Sequence, residues 1–193
     1  MALEFSDIND DKLASVLMDG GVGVLPTDTV YGLVCVASNQ ATVSRLYQLK
    51  KRESKPGTLI AASLDQLVEL GFTRRYLKAV EEFWPGAVSI EQPCSNPALG
   101  YLNQYTNRQA VRVVAPENLR RLLARTGPLL TSSANQPGEK PADTIKEARD
   151  YFGEMIDFYV DGGDLSQKKP STLICIVDDA VEVLREGAVT IRT

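Results

Sequence analysis

The chain has 193 residues, 44% hydrophobic and 24% charged, enough apolar material for one buried core without disulfide or metal staples. It contains no histidine, which excludes Ser-His-Asp and Cys-His nucleophile systems, HExxH zinc sites and Cys2His2 fingers as usually built. A net charge of −4, from 21 Lys and Arg against 25 Asp and Glu, argues against a dedicated nucleic-acid coat but not against a local basic cleft.

Strand and helix patterns alternate along the chain. Asp7 or Asn9 caps a first helix reaching Met18, which Gly20-Gly21 ends. Residues 22–25 and 30–36 read as short buried strands on either side of Pro26. Ser38 or Asn39 caps a helix over 40–51 whose inner face is Val43, Leu46 and Leu49 or Lys50. A strand at 58–62 precedes a capping box, Ser63 with Gln66, that opens a helix at 64–70. Thr73 opens a further helix through Leu77, Val80 and Phe83, closed by Pro85-Gly86. Strands at 87–90 and 110–115, a helix at 117–125 and a strand at 128–132 follow. Asp143 caps a helix at 144–152, and the remainder reads as strands near 156–160, 172–177, 181–185 and 188–192. The pattern predicts an α/β fold with a mixed sheet, in one domain over 1–193.

Cys35, Cys94 and Cys175 are odd in number, widely spaced and without a CxxC pair, which predicts buried reduced thiols and a reducing compartment. The acidic N-terminus lacks the order of a signal peptide, and the apolar run 30–37 is too short to span a bilayer. A cytoplasmic protein with no membrane partner is expected.

Three segments place unusual residues in loops. Pro26-Thr27-Asp28-Thr29-Val30-Tyr31-Gly32-Leu33 crowds hydroxyls, a carboxylate and a phenol between two strands; on spacing alone a plain turn explains it. Residues 45–55 hold Arg45, Lys50, Lys51, Arg52 and Lys55 against one acid, Glu53. Cations at a helix C-terminus suit its dipole, but the run continues into a loop, where it suits phosphate or carboxylate binding. Thr131-Ser132-Ser133-Ala134-Asn135 follows a strand directly, and a turn and a ligand-binding loop explain it equally well. No Walker A or GxGxxG motif is present, so a nucleotide would need an unconventional pocket.

Taken together, PTDTVYGL, KKRESKP and SSAN resemble the YrdC-domain family, of the single-domain threonylcarbamoyl-AMP synthase type. WPG at 84–86, AVRV at 110–113, DGG at 161–163, PST at 170–172 and LREG at 184–187 continue the likeness in the same order. The resemblance implies a YrdC-like twisted mixed sheet with helices on its faces and a basic concave cavity. It implies a nucleotidyltransferase that joins L-threonine, bicarbonate and ATP, with Mg2+ brought by ATP, into threonylcarbamoyl-AMP and pyrophosphate. No tightly bound organic cofactor and no metal-ligating side chain is implied. Transfer to tRNA belongs to separate downstream proteins, with tRNA itself a candidate partner.

Residue by residue, the resemblance implies Lys50 and Arg52 as catalytic groups that, with Lys55 and Arg185, surround the triphosphate. Ser133, Ala134 and Asn135 would line the nucleotide, with Arg108 a weaker match. Arg112 would pair with the threonine carboxylate, Thr29, Ser132 and Ser171 would hydrogen-bond threonine, and Tyr31 would shape its pocket. The chain departs from the family in having two residues between Arg52 and Lys55 rather than three, Glu53 in place of proline, and Ala142 where a polar residue is common. The alternative is a YrdC-fold RNA-binding or ribosome-maturation factor without adenylate chemistry. A shape-reading RNA binder needs phosphate contacts but no amino-acid pocket.

Overall fold

A computed structural model of the chain describes residues 1–78, 80–178 and 180–191. The first half runs β1 (Leu3–Phe5), α1 (Asp11–Met18), β2 (Gly23–Pro26), β3 (Tyr31–Val36), α2 (Gln40–Leu49), β4 (Thr58–Ala61), α3 (Leu64–Leu70), α4 (Arg74–Lys78) and β5 (Val88–Pro93). The second half runs β6 (Arg108–Val113), α5 (Glu117–Thr126), β7 (Leu129–Ser133), α6 (Ile145–Phe152), β8 (Phe158–Val160), β9 (Thr172–Val177) and β10 (Ala180–Arg185). Among the described residues the strands form one sheet in the order β1-β8-β2-β3-β7-β4-β6-β5-β9-β10. Its pairings are mixed: β4 runs parallel to β6, while β7 is antiparallel to both β3 and β4.

Strand alternation divides the core between two faces. In β3, Leu33 and Cys35 join Val43 and Leu46 of α2, Leu67 of α3 and Phe152 of α6 on one face. Val34 and Val36 join Leu13 and Leu17 of α1 and Leu119, Leu122 and Leu123 of α5 on the other. Strands covered on both sides read as near-continuous apolar runs, which is why the pattern at 30–36 does not alternate.

Several elements differ from the sequence expectation. Asp10, rather than Asp7 or Asn9, caps α1, its carboxylate accepting from Lys12 N at 2.8 Å. Thr144, not Asp143, caps α6, because Thr144 and Glu147 form the capping spacing and Asp143 instead pairs with Lys140 at 2.9 Å. Of the helix expected from Thr73 to Phe83, Arg74–Lys78 is α-helical and Glu81–Phe83 is a short 3-10 turn, while residue 79 lies outside the described residues. Leu77, Val80 and Phe83 recur every three residues, the 3-10 period. Residues 188–191 are not a strand, residue 192 lies outside the described residues, and β1 was not expected.

On the α1/α5 face the strands change character along their length. Core residues Ile60 of β4, Leu129 of β7 and Val34 of β3 give way to Thr58, Thr131 and Gly32. The register sets Thr58 between Thr131 and Ala110, so small side chains share one patch of the sheet. That loss of bulk opens a cavity beyond the end of the core.

Candidate active site

The cavity has a volume of about 550 Å3, well within the range of small-ligand sites. It lies over the N-terminal ends of β3, β4 and β6 and the C-terminal end of β7, unlike the carboxyl-end sites of all-parallel sheets. Arg52, Arg108, Arg112 and Arg185 line it, against one acidic residue among the described residues, Glu91. Arg108 is paired with Glu91, Nε to Oε1 at 2.5 Å, on the half-exposed rim.

Arg112 is buried, and its charge is answered from the PTDT loop. Its Nη2 donates to Asp28 Oδ1 at 2.8 Å, and its Nη1 donates to Ser89 Oγ at 2.8 Å. Ser89 Oγ lies 2.8 Å from Ser171 Oγ, which in turn accepts from Arg185 Nη2 at 3.2 Å. Asp28, Arg112, Ser89, Ser171 and Arg185 therefore form one continuous polar chain along the wall. Of five N–H donors on Arg112, two are spent here and three remain.

Arg52 and Arg185 have no carboxylate partner among the described residues. Arg52 Nη1 donates to Ser132 Oγ at 3.0 Å, and Arg185 Nη2 also donates to Ser171 O at 2.9 Å. Burial lowers the pKa of both guanidiniums, and for Arg185 the neighbouring Arg112 and Arg52 add to the effect. Desolvated cations with only hydroxyl and carbonyl partners are an anion-binding arrangement.

The SSAN turn is fixed by Lys50, the C-cap of α2. Lys50 is only 4% exposed, and its ammonium donates to Ser133 O at 2.8 Å, to Asn135 Oδ1 at 3.0 Å and to Asn135 O. Ser133 Oγ donates to the same Asn135 Oδ1 at 2.6 Å, while Asn135 Nδ2 closes the turn on Glu139 O at 2.7 Å. Burial, and secondarily Arg52, lowers the Lys50 pKa to about 8.

The structure brings Thr29, Arg52, Arg112, Ser132, Ser133 and Asn135 to the cavity wall, together with Ser171 and Arg185. Four expected residues lie elsewhere. Lys50 stands behind the wall, under the turn it holds. Ala134 is fully buried, its side chain in the core and its N–H bonded to Tyr31 O at 2.8 Å. Tyr31 is also fully buried; its hydroxyl donates to Gly163 O and accepts from Gly162 N, each at 2.8 Å. It thus ties the DGG turn to the PTDT loop, where a Cβ on Gly162 would stand 2.5 Å from Pro26 Cβ. Lys55 is exposed and outside the wall, its backbone N–H bonded to Gln104 Oε1 at 2.8 Å.

The LREG and PST motifs have a packing reason. A Cβ on Gly187 would stand 2.4 Å from Pro170 O and 2.5 Å from Ser171 C, so only glycine lets the two segments close on each other. Sequence reasoning missed Asp28, whose signal was being the single carboxylate of its loop, and Ser89, which had none. The three cysteines are free and buried, and no helix among the described residues is long and apolar enough to cross a membrane.

The Sua5/YciO/YrdC family model, described as telomere recombination, matches residues 15–187. Threonylcarbamoyl-AMP synthase of Coxiella burnetii (strain RSA 493 / Nine Mile phase I) is 36% identical over 160 residues, 80% of this chain and 84% of that protein. A putative threonylcarbamoyl-AMP synthase of Mycobacterium leprae (strain TN) is 32% identical over 187 residues, 92% of this chain and 82% of that protein. P. abyssi Sua5 complexed with L-threonine superposes with a TM-score of 0.82 at 25% identity over 97% of this chain, which spans only 57% of that one. E. coli YciO shares the fold with a TM-score of 0.81 at 24% identity, covering 97% and 96% of the two chains.

Proposed function

The chain belongs to the Sua5/YciO/YrdC family, and from that premise we propose that it is a threonylcarbamoyl-AMP synthase. One observation carries the reading: Arg52, Arg112 and Arg185 converge on one cavity, and two of them have no carboxylate partner among the described residues. Such a site is built for an anionic ligand of several charged groups.

The reaction needs no protein nucleophile, which suits a chain without histidine. The threonine amine adds to the carbon of bicarbonate and water leaves, giving a carbamate. A carbamate oxygen then bonds to the α-phosphorus of ATP as the bond to the bridging oxygen of the β-phosphate breaks, and pyrophosphate departs with that electron pair. Positioning and positive charge carry transfers of this kind. Mg2+ enters as part of the ATP substrate.

In this reading Arg52 and Arg185 face the triphosphate, with Lys55 reaching it from its loop. Lys50 holds the Ser133–Asn135 turn, whose backbone lines the nucleotide, and contributes positive charge behind it. The N–H groups that Nη1 and Nη2 of Arg112 each keep free take the threonine carboxylate, Thr29, Ser132 and Ser171 bind its polar groups, and Tyr31 acts through the DGG turn. Residues 1–193 work as one domain in the cytoplasm, and separate proteins pass the threonylcarbamoyl group to tRNA. The RNA-binding alternative is not favoured, because the Coxiella burnetii relative is named a threonylcarbamoyl-AMP synthase and the Mycobacterium leprae relative a putative one.

The test is pyrophosphate release by the purified chain with ATP and Mg2+. Release that requires both L-threonine and bicarbonate is expected; release indifferent to threonine would remove the amino-acid site.

A further inference from the structure

The cation-bearing loop between α2 and β4 is fastened at three places, two of them outside the site. At its start, Lys50 is locked to the SSAN turn. At its end, Gly57 N donates to Tyr47 Oη at 3.1 Å, and Gly57 O accepts from Gln109 Nε2 at 2.6 Å. Between these ends lies Arg52, and there the loop turns through two left-handed residues that are not glycine, Lys51 at φ 46° and Ser54 at φ 52°. L side chains rarely adopt that conformation unless the surroundings impose it.

One side chain reaches the middle of this loop from across the molecule. Gln104 Nε2 donates to Arg52 O at 2.8 Å, and Gln104 Oε1 accepts from Lys55 N at 2.8 Å. Both ends of a single amide thus bracket the residues that carry Arg52 and Lys55. Gln104 is itself held left-handed, at φ 50°, in a segment with two more left-handed residues, Tyr105 and Asn107, both at φ 59°. That segment is anchored by Asn103, whose Nδ2 donates to Cys94 O at 2.9 Å. Two strained segments from distant parts of the chain meet through one amide, and strain of this kind collects where a site must be held in a set shape.

We propose that Gln104 is a positioning residue: it fixes the loop so that the Arg52 guanidinium projects into the cavity before any anion arrives. Gln104 does not line the cavity, and its hydrogen bond to Arg52 is to the backbone carbonyl. Preorganised donors cost no reordering when the ligand binds, so the inference rests on the reading of Arg52 as the triphosphate contact. Freed from Gln104, the loop would still carry the same charges, but they would have to be ordered by the substrate.

Limited trypsin digestion tests this without relying on catalysis. The bonds after Lys51 and Arg52 are tryptic sites, whereas Lys55 precedes Pro56 and is protected by it. In Gln104→Ala, loss of two hydrogen bonds should speed cleavage after Lys51 and Arg52 by roughly tenfold, and saturating ATP with Mg2+ should restore protection. The KM for ATP should rise several-fold, while calorimetry of L-threonine alone should be unchanged. Gln104→Glu keeps the acceptor for Lys55 N and loses the donor to Arg52 O, so it should fall between the two. Unchanged cleavage in Gln104→Ala overturns the inference, as does a rise spread equally over tryptic sites elsewhere in the chain. Faster loop cleavage in a protein whose parent shows no threonine-dependent pyrophosphate release would leave Gln104 as the loop's fastener and reject the synthase reading alone.

Discussion

Asp28 and Arg112, 84 residues apart in the chain, meet at 2.8 Å as a buried ion pair, their side chains 4% and 3% exposed. Asp28 Oδ2 and Arg112 Nε have no hydrogen-bond partner among the described residues. Removing one member of such a pair leaves an uncompensated buried charge, a loss of about 3 kcal/mol. Asp28→Asn should therefore lower the melting temperature sharply. Because a threonine carboxylate would answer the orphaned Arg112, added L-threonine should recover more stability in the variant than in the parent. A variant that melts like the parent, or that threonine does not help, would contradict the role given to the pair.

Arg52 and Lys50 should separate chemistry from stability. Arg52 donates to one hydroxyl, so Arg52→Ala should melt within about 1 kcal/mol of the parent yet lose roughly 100-fold to 1,000-fold in pyrophosphate release. Lys50→Ala abandons three part-buried acceptors in the SSAN turn and should lose about 2 kcal/mol as well as activity. Equal stability losses in the two variants would refute the division of labour.

The lowered Lys50 pKa, about 8 against 10.5, makes a signed prediction. Between those values the unfolded chain holds a proton that the folded chain has released, so folding becomes more favourable as pH rises through that window. The slope contributed is at most about 1.4 kcal/mol per pH unit. Below pH 8 both states are protonated and the contribution is flat. Over the same rise the site loses a cation, so the KM for ATP should climb above about pH 8. Lys50→Arg cannot titrate there, and a persisting KM rise in that variant would assign the effect to another group.

Gly187→Ala should act on the site through backbone. The added Cβ would stand 2.4 Å from Pro170 O, and the PST turn must move, carrying Ser171 and its bond to Arg185. Overpacking of this kind costs about 1–3 kcal/mol. A lowered melting temperature with a raised KM for threonine is expected, measured by thermal unfolding and steady-state kinetics.

Much of this architecture is legible in local chemistry. The apolar runs at 30–36 and 58–62, the Asn39 and Ser63 caps and the amphipathic stretch at 117–125 each point to an element that exists. What is not legible is long-range register. Nothing local to AVRV says that Arg112 faces Asp28, which depends on the order β3-β7-β4-β6, and nothing local to PST says that Ser171 meets Ser89, which depends on the pairing of β5 with β9. The resemblance named Lys50 and Tyr31 for the site, but the fold sets both behind the wall, holding turns that line it. Gln104 lies in a stretch without periodicity or motif, and only the folded loop reveals what its amide spans.

The proposed joining of threonine, bicarbonate and ATP in this cavity yields a product of distinct mass. The most direct measurement is mass spectrometry of the product formed from 13C-bicarbonate, L-threonine and ATP. An adenylate that carries threonine and one labelled carbon is the predicted result. Pyrophosphate released without a labelled adduct, or a labelled adduct of equal yield from Arg52→Ala, would contradict it.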